Sequence, residues 1–284
     1  MKIPDWIKDV NLPYNTYNDI PQSAIDEVNS RLDAVLSNTP VITVLIAAYN
    51  EEANVLRCIG SLSRSKTRIP FEILVVNNNS SDRTQDTLDR LHVRKVFQSI
   101  QGCGPARQMG QENAKGEYIL LADADCLYPD CWIDEMMKVL REPGVVCVYG
   151  RYSFLPEPGY PRWQLFILER LKDVIASYRQ IKRPYLNTYG ISMGYIKEFG
   201  LKAGYVMANI RGEDGRLAFD MMKYGKIKPV TSNAARPWTG PRTLALEGSF
   251  TKALSNRIVK EVKRSFQMLR SEKDHDTKTS KNEG

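Results

Sequence analysis

Apolar and polar positions along the chain follow a pattern that predicts strands and helices in turn. Nearly continuous apolar runs at 41–48, 71–76 and 118–122 are typical of strands covered on both faces of a sheet. Between them, 51–64 and 105–115 show the spacing of apolar residues expected of helices. Strands that alternate with helices at intervals of about 30 residues predict right-handed βαβ units and a mostly parallel sheet. The expected fold class is therefore α/β.

The segments on either side of this alternation add further predicted elements. An N-terminal extension covers 1–40 and contains one helix, in which Ile25, Val28 and Leu32 form a single apolar face. A short helix is predicted to begin at 80–84, where Ser and Asp favour an N-cap. The other predicted elements are helices at 130–141, 162–179 and 213–224 and strands at 93–97, 145–149, 188–196 and 226–230.

The C-terminal part of the chain is basic. Over 249–270 there are six Lys or Arg against one acid, Glu261. Apolar residues recur at helical spacing and predict a basic amphipathic helix; they are Leu254, Ile258, Val262, Phe266 and Leu269. Such helices most often pack on their own domain, and the alternative is contact with an anionic membrane surface. The polar residues 273–284 are predicted to be disordered.

The composition excludes several classes of protein. With 42% hydrophobic and 26% charged residues, a chain of 284 residues is not expected to be wholly disordered. The longest apolar run, 41–49, is interrupted by Thr43, so no membrane-spanning helix is predicted. The N-terminus lacks the apolar region of a secretory signal, and the five cysteines form no Cys-x-x-Cys pair. Together these features predict reduced thiols and a cytoplasmic protein, with peripheral membrane contact as an extension.

Charge and histidine content narrow the expected chemistry. The net charge of +7 would suit a nucleic acid, an anionic membrane or a phosphorylated ligand. Nucleic acid is not expected, because no basic patch interleaved with aromatic residues is present. There are only two histidines, and His275 lies in the polar tail. The sequence therefore favours chemistry by carboxylates over chemistry by histidine.

Two carboxylates directly follow the strand predicted at 118–122. Asp123 and Asp125 are separated only by Ala124, which is small enough to let both side chains approach one region. In an open α/β sheet, ligands bind beyond the carboxyl ends of the strands. Carboxylate oxygens in that position are suitable ligands for Mg²⁺ or Mn²⁺. The alternative is an acidic turn with no bound ion.

A second acidic pair, Glu213 and Asp214, follows Gly212 and precedes a predicted helix. One interpretation is that both acids stabilise the positive end of the helix dipole. The other is that one of them is a general base in a cleft. The sequence alone leaves both interpretations open.

Polar residues also cluster after the first two strands, at 49–52 and 77–82. Such clusters can line a nucleotide pocket, or they can simply form turns and helix caps. The glycine-rich segment 102–107 can hold phosphate through backbone N–H groups, with Arg107 as a ligand contact or an exposed charge. The segment 238–242 is either a loop that closes over a diphosphate or a turn with an exposed arginine.

Taken together, these segments resemble family 2 glycosyltransferases, which are inverting transferases with a GT-A fold. The resemblance runs from about 41 to 242, and five segments carry it in the family's order. They are Ala47-Ala-Tyr-Asn-Glu-Glu, Leu74-Val-Val-Asn-Asn-Asn-Ser-Ser-Asp-Arg-Thr, Gly104-Pro-Ala-Arg-Gln-Met-Gly, Ala114-Lys-Gly-Glu-Tyr-Ile-Leu-Leu-Ala-Asp-Ala-Asp and Gly212-Glu-Asp.

The resemblance implies specific ligands and residue roles. The implied donor is a nucleoside-diphosphate sugar, in the first place a UDP-sugar, and the implied cofactor is Mn²⁺ or Mg²⁺. The implied acceptor is a saccharide or a lipid-linked saccharide, in cell-envelope polysaccharide biosynthesis. Asp125 and Asp123 would hold the metal, Asp214 would be the base, and Glu213 would lie on the acceptor side. The implied donor-binding residues are Ala48, Tyr49, Glu51, Asn77, Arg107, Asp123, Trp238 and Arg242.

The resemblance also implies a division of the chain. A GT-A domain would cover 41–248, with a nucleotide-binding half at 41–126 and an acceptor half at 127–248. The extension 1–40 would precede it, and 249–284 would follow as basic helix and tail. Transfer of one sugar is expected rather than polymerisation, because the Gln-x-x-Arg-Trp signature of processive synthases is absent.

Two departures from the family pattern leave alternatives open. Asn77 stands where the family often has an Asp that contacts uracil, so donors with guanine or thymine remain possible. Ala203-Gly-Tyr only loosely matches the family's usual Gly-Gly-Phe. The competing functions are a sugar-phosphate nucleotidyltransferase and a non-catalytic protein that binds nucleotide sugars. The first would need a glycine-rich loop with an arginine directly after strand one, where Tyr49 and Glu51 stand.

Overall fold

A computed structural model describes residues 2–208 and 212–242. The basic helix predicted at 249–270 and the tail after it lie outside these residues. The helices are α1 (Ile7–Val10), α2 (Gln22–Val35), α3 (Asn54–Leu62), α4 (Thr84–Asp89), α5 (Cys103–Asn113), α6 (Trp132–Leu140), α7 (Arg162–Arg179), α8 (Lys197–Ala203) and α9 (Glu213–Met221). The strands are β1 (Ile42–Ala48), β2 (Phe71–Asn77), β3 (Arg94–Phe97), β4 (Tyr118–Asp123), β5 (Cys126–Leu127), β6 (Val145–Tyr149), β7 (Ser153–Phe154), β8 (Met193–Ile196), β9 (Lys226–Pro229) and β10 (Trp238–Thr239).

Seven strands form the main sheet, in the order β3-β2-β1-β4-β8-β6-β9. Strand β1 runs parallel to both β2 and β4, and β6 runs parallel to β9. Strand β8 is antiparallel to its two neighbours, β4 and β6. The predicted fold class is confirmed: this is an α/β protein with a mainly parallel sheet flanked by helices.

The sheet is covered on both faces, as the apolar strands predicted. Side chains alternate along β1, so that Val44 and Ile46 belong to one apolar cluster while Leu45 belongs to another. The first cluster includes residues of α2, α3 and α6, and the second includes residues of α5 and α9. Two-sided burial explains why polar residues are rare within the central strands.

The N-terminal extension packs against the sheet. Ile25, Val28 and Leu32 of α2 are buried in the first cluster, as the single apolar face predicted. The Asn29 side chain donates to the Arg90 carbonyl oxygen at 2.8 Å and so ties α2 to the end of α4. Helix α2 therefore forms part of the same core as the sheet.

One predicted strand is shorter than expected. The segment 188–196 is extended only over Met193–Ile196, and a 3₁₀ turn at Gly190–Ser192 precedes it. The Gly190 N–H donates to the Asp214 carboxylate at 2.7 Å instead of to a neighbouring strand. This contact holds residue 190 against α9, and the chain enters the sheet only at Met193.

A second, three-stranded sheet has the order β5-β10-β7. Trp238 in β10 packs into an apolar cluster with Ile7, Val10 and Leu127. Within the described ranges, no helix is both long and apolar enough to cross a bilayer.

Candidate active site

The carboxyl ends of the three central parallel strands meet at one edge of the sheet. The register places Ala48 of β1 beside Asn77 of β2, and Ala47 beside Asp123 of β4. The polar segments after these strands therefore lie next to one another, as open α/β sheets require of a ligand site.

The loops after β1 and β2 are joined by hydrogen bonds. Asn50 and Asn79 adopt left-handed backbone conformations with φ of 55° and 56°, which asparagine tolerates better than most residues. The Asn50 carboxamide oxygen accepts the Ser81 N–H at 2.8 Å, and the Thr84 hydroxyl accepts the Glu51 N–H at 2.8 Å. These contacts leave the Tyr49 ring half exposed at the edge, whereas Ala48 is buried.

The side-chain amide of Asn77 is hydrogen-bonded to the segment that follows it. Its side-chain nitrogen donates to Gln85 at 2.8 Å, and its oxygen accepts the Ser80 N–H at 3.1 Å. Asn77 is also buried. Direct contact between this amide and a nucleotide base would therefore require these hydrogen bonds to be exchanged.

Arg107 joins the two acidic motifs. Its Nη1 atom lies 2.6 Å from both Glu213 Oε1 and Asp214 Oδ1, and its Nη2 atom lies 3.3 Å from Asp123 Oδ1. The arginine is buried, so the alternative of an exposed helix charge is wrong. Its guanidinium binds carboxylates of this chain, and the expected direct contact with a diphosphate is replaced by a link between β4, α5 and α9.

The electrostatics of this cluster follow from its burial. Burial raises the pKa of Asp214 to about 7, and the neighbouring carboxylates of Glu213 and Asp123 also raise it. The positive charge of Arg107 acts in the opposite direction and lowers this pKa. Burial likewise raises the pKa of Asp123 to about 6. Three carboxylates share one guanidinium, and a buried excess of negative charge favours retention of a proton.

Gly190 completes the cluster from the opposite side. A Cβ atom at this position would overlap the Arg107 guanidinium and lie 3.1 Å from Asp123 Oδ1. The missing side chain therefore allows the backbone N–H of Gly190 to reach Asp214 while Arg107 stays in place. The backbone N–H of Gly190 thus orients the carboxylate that the resemblance implied as the base.

Asp125 lies at the outer edge of the site with Arg242. One Nη atom of Arg242 lies 2.8 Å from Asp125 Oδ2 and 2.9 Å from Glu51 Oε1. Burial raises the pKa of Glu51. Arg242 therefore bridges the loop after β1 and the Asp-Ala-Asp motif, and it neutralises charge at the place where a cation is expected.

The donor atoms at the end of β4 fit a hard divalent cation. Ligand atoms of Asp123, Asp125 and Cys126 lie within 4.8 Å of one another. Burial raises the pKa of the Cys126 thiol well above its usual range, so the sulfur is a neutral thiol and a poor ligand. The two aspartates offer the oxygen ligands that Mg²⁺ and Mn²⁺ prefer.

Comparisons with known proteins identify the family. The model described as glycosyl transferase family 2 matches residues 43–199, which is more than half of the chain. The chain belongs to glycosyl transferase family 2.

Curated relatives match part of the chain. The glycosyltransferase AglE of Haloferax volcanii is 29% identical over 151 residues, covering 49% of this chain and 49% of AglE. EpsH of Bacillus subtilis is 30% identical over 119 residues, covering 39% of this chain and 34% of EpsH. The matched regions thus span between a third and a half of the length of these relatives.

A solved structure shares the fold. Glucosyl-3-phosphoglycerate synthase from Mycobacterium tuberculosis, in complex with Mn²⁺, UDP and phosphoglyceric acid, superposes with a TM-score of 0.52 at 18% identity. The superposition covers 84% of this chain and 82% of the synthase. The arrangement of strands and helices in this family 2 chain is therefore that of a GT-A glycosyltransferase.

Trp238 departs from its expected role. Its ring is only 1% exposed and belongs to the apolar cluster under α1, so it does not line the site. The resemblance implied a donor contact, because the segment 238–242 could form a loop that closes over the diphosphate. The ring lies buried in β10, whereas Arg242 lies beyond the end of that strand and reaches the acidic edge.

Sequence reasoning missed several residues that hold the family 2 site together. The Tyr128 hydroxyl accepts the Asp123 N–H at 2.8 Å and donates to the Ile191 carbonyl oxygen at 3.0 Å. The Asn78 side chain accepts the Gly102 N–H at 2.7 Å and so fixes the segment before α5. The partners are distant along the chain, and the only local signal was the neighbouring run of asparagines at 77–79.

Proposed function

We propose that this family 2 glycosyltransferase transfers a single sugar from a nucleoside-diphosphate sugar to a hydroxyl acceptor, with inversion at the anomeric carbon. The observation that carries the proposal is the contact of one guanidinium, Arg107, with carboxylates at both ends of the reaction centre. Asp123 lies on the donor side at the end of β4, and Asp214 lies at the start of α9.

On the donor side, the proposed nucleotide is a UDP-sugar with its nucleoside against Tyr49 and Glu51. Asp125 and Asp123 are the proposed ligands of Mn²⁺ or Mg²⁺, supported by the hard oxygen donors at this position. When bound, the metal neutralises the charge that develops on the leaving diphosphate. Arg242 lies at the same edge and is proposed to contact the diphosphate. A structural relative crystallised with Mn²⁺ and UDP supports this assignment.

On the acceptor side, Asp214 is the proposed general base and Glu213 the proposed neighbour of the acceptor. A pKa raised to about 7 suits a group that must accept a proton near neutral pH. The acceptor hydroxyl gives its proton to Asp214, its oxygen bonds to the anomeric carbon, and the bond to the diphosphate breaks on the opposite face. One displacement of this kind inverts the configuration.

The division of the chain into a nucleotide half at 41–126 and an acceptor half at 127–248 is part of this proposal. So are a saccharide or lipid-linked acceptor and a peripheral location at a membrane. A nucleotidyltransferase or a non-catalytic binding protein remains the competing proposal. The intact set of Asp123, Asp125 and Asp214 around Arg107 favours catalysis over binding alone.

The test is a panel of nucleotide sugars with Mn²⁺ or Mg²⁺, measured by thermal stabilisation and by slow hydrolysis of the donor. We expect one donor to raise the melting temperature and EDTA to remove most of the shift, because the metal joins donor to protein. Asp125→Ala should lose the shift. Asp214→Asn should keep it while the rate falls by about 10²–10⁴-fold, the usual contribution of a general base.

Asp220→Asn is the matched control, since Asp220 pairs with Arg216 on the outer side of the same helix α9. It should keep both the shift and the rate. The metal assignment would be contradicted if the donor raised the melting temperature equally for wild type, for wild type with EDTA and for Asp125→Ala. Release of pyrophosphate from a nucleoside triphosphate would favour the nucleotidyltransferase.

A further inference from the structure

Helix α7 exposes an unusual set of side chains. Trp163, Ile167, Val174 and Tyr178, with Ile181 in the turn that follows, are between 49% and 75% exposed. Their spacing of three, four and seven residues places them on one side of the helix, within about 60° of arc at 3.6 residues per turn. We call this set the outer face of α7. It forms an apolar stripe along a helix about 27 Å long.

The opposite side of α7 carries its carboxylates inward. Glu169 is 1% exposed, and its Oε2 atom lies 2.8 Å from Arg162 Nη2. Asp173 is ion-paired with the buried Arg236. An ordinary surface helix presents its ions to water and its apolar residues to the core. Here both acids are directed inward beside the buried Leu165 and Leu168, and a second set of large apolar side chains is directed outward.

The charge around the outer face is positive. Arg170 lies within the stripe, with 46% of its side chain exposed, and Lys182 is exposed at its end. Arg170 lies 3.9 Å from Asp173, but that one carboxylate is shared with Arg236 and with Arg151 at 3.8 Å, so the three arginines together keep an excess of positive charge. Between 162 and 183 no carboxylate is exposed.

We propose that the outer face of α7 docks on an anionic membrane surface. A helix with an apolar stripe, a tryptophan and flanking cations is the kind that lies in the interface between headgroups and acyl chains. Anionic headgroups complement Arg170 and Lys182, and the apolar stripe enters the acyl boundary.

Other occupants fit the charges less well. A second copy of the chain related by a two-fold axis would place Arg170, near the middle of the stripe, against its own counterpart. The basic segment 249–270 would bring six further cations to a positive face. Both arrangements set like charges together in a partly desolvated contact, whereas an anionic lipid does not.

The inner side of helix α7 contacts the segment that leads to the proposed acceptor side. Arg179 of α7 donates to the Leu186 carbonyl oxygen at 3.0 Å, and the Asn187 side chain donates to the Ala176 carbonyl oxygen at 2.9 Å. Three residues later, Gly190 contacts Asp214. Docking would therefore hold the acceptor side near the lipid surface. That link to a lipid-linked acceptor rests on the proposed function, whereas the docking itself does not.

The first test is sedimentation of the full chain with vesicles of phosphatidylglycerol and phosphatidylcholine in equal parts. Binding should fall with salt and be weak on phosphatidylcholine alone. The double variant Val174→Glu with Ile181→Glu should lower the partition coefficient by about tenfold or more, since each residue loses the burial of a large apolar side chain. Leu201→Glu makes the same kind of change on α8 and should bind like wild type.

The second test locates the contact. All four tryptophans lie in the described residues, and Trp132 and Trp238 are buried. Brominated acyl chains in the same vesicles should quench wild-type fluorescence. Trp163→Phe keeps the apolar stripe, so it should still sediment while most of the quenching disappears.

Several results would overturn the proposal. Quenching of Trp163→Phe equal to that of wild type would place the contact elsewhere. Full binding by the double variant, with binding lost in Phe266→Glu, would assign the membrane contact to 249–270. A dimer in solution that the double variant abolishes would assign the outer face to a second copy. No donor is present in these measurements, so their failure leaves the test of glycosyl transfer unaffected.

Discussion

Arg107 determines how the acidic residues of the site behave. It is buried, and it contacts Asp123, Glu213 and Asp214, which come from segments up to about a hundred residues apart in sequence. These three carboxylates share the single positive charge of Arg107, so a substitution of any one of them changes the electrostatic environment of the other two. The Gly190 N–H provides a further donor to Asp214, and no side chain at 190 would fit beside the guanidinium.

The raised pKa of Asp214 predicts how stability depends on pH. The carboxyl binds a proton more tightly in the folded chain, with a pKa of about 7, than in the unfolded chain, where its ordinary value is 3.8. Its contribution to stability is therefore complete below pH 3.8 and is lost as pH rises to about 7. At about 1.4 kcal/mol per pKa unit, the loss is on the order of a few kcal/mol.

The measurement is denaturant unfolding of wild type and Asp214→Asn at a series of pH values from 4 to 8. The free energy of unfolding of wild type should fall relative to that of the variant across this range. Asp220→Asn, on the exposed side of the same helix, should run parallel to wild type. A constant difference between wild type and Asp214→Asn would contradict the raised pKa.

At the scale of elements, α7 is held to the segment before β10 by a buried ion pair. Arg236 has no exposed side-chain surface, and its guanidinium contacts Asp173 of α7 and the Tyr152 carbonyl oxygen. The segment that carries Arg236 leads into β10 and then to Arg242, which contacts Asp125 at the proposed donor side. The ion pair therefore connects α7, through this segment, to the proposed donor side.

We predict that Asp173→Ala lowers the free energy of unfolding by about 3–5 kcal/mol, because a charged arginine would lose its main partner while it stays buried. Asp220→Ala breaks the half-exposed pair with Arg216 on α9 and should cost about 1 kcal/mol or less. Denaturant unfolding of both variants at neutral pH gives the comparison. Equal losses would mean that the Asp173 pair is no more important than an ordinary surface pair.

At the scale of the whole molecule, one sheet crosses the expected boundary at residue 126. Strand β8 comes late in the chain, yet it lies between β4 and β6 and hydrogen-bonds to both. The nucleotide half and the acceptor half therefore share a continuous sheet. Their cores are also shared, since residues of α6 and β6 join the cluster that contains α2 and α3.

This continuity predicts a single cooperative unfolding transition for the described part of the chain. Tryptophan fluorescence reports mainly on buried Trp132 and Trp238 in the later half, whereas far-ultraviolet circular dichroism reports on helices throughout. Both signals should change at the same urea concentration. Two separated midpoints would show that the halves unfold independently.

The sequence by itself determined the layers and the identity of the motifs. Burial on both faces favours nearly unbroken apolar strands, so β1, β2 and β4 could be located from the apolar runs along the chain. Helical spacing located α2 and α3, because the burial of one helix face leaves a periodic apolar pattern in the local sequence. Parallel strands also bring their carboxyl ends to one edge, so Asp123 and the loops after β1 and β2 could be assigned to one region in advance.

Only the tertiary structure decided what those residues touch. Arg107 turned from a candidate phosphate contact into a buried link among carboxylates, and Trp238 turned from a candidate donor contact into a core residue. Asn77 proved to be committed to Gln85 and Ser80. Each of these outcomes depends on partners from other elements or on which way a side chain turns. The direction and burial of a side chain arise from packing between elements, which spacing along the chain does not encode.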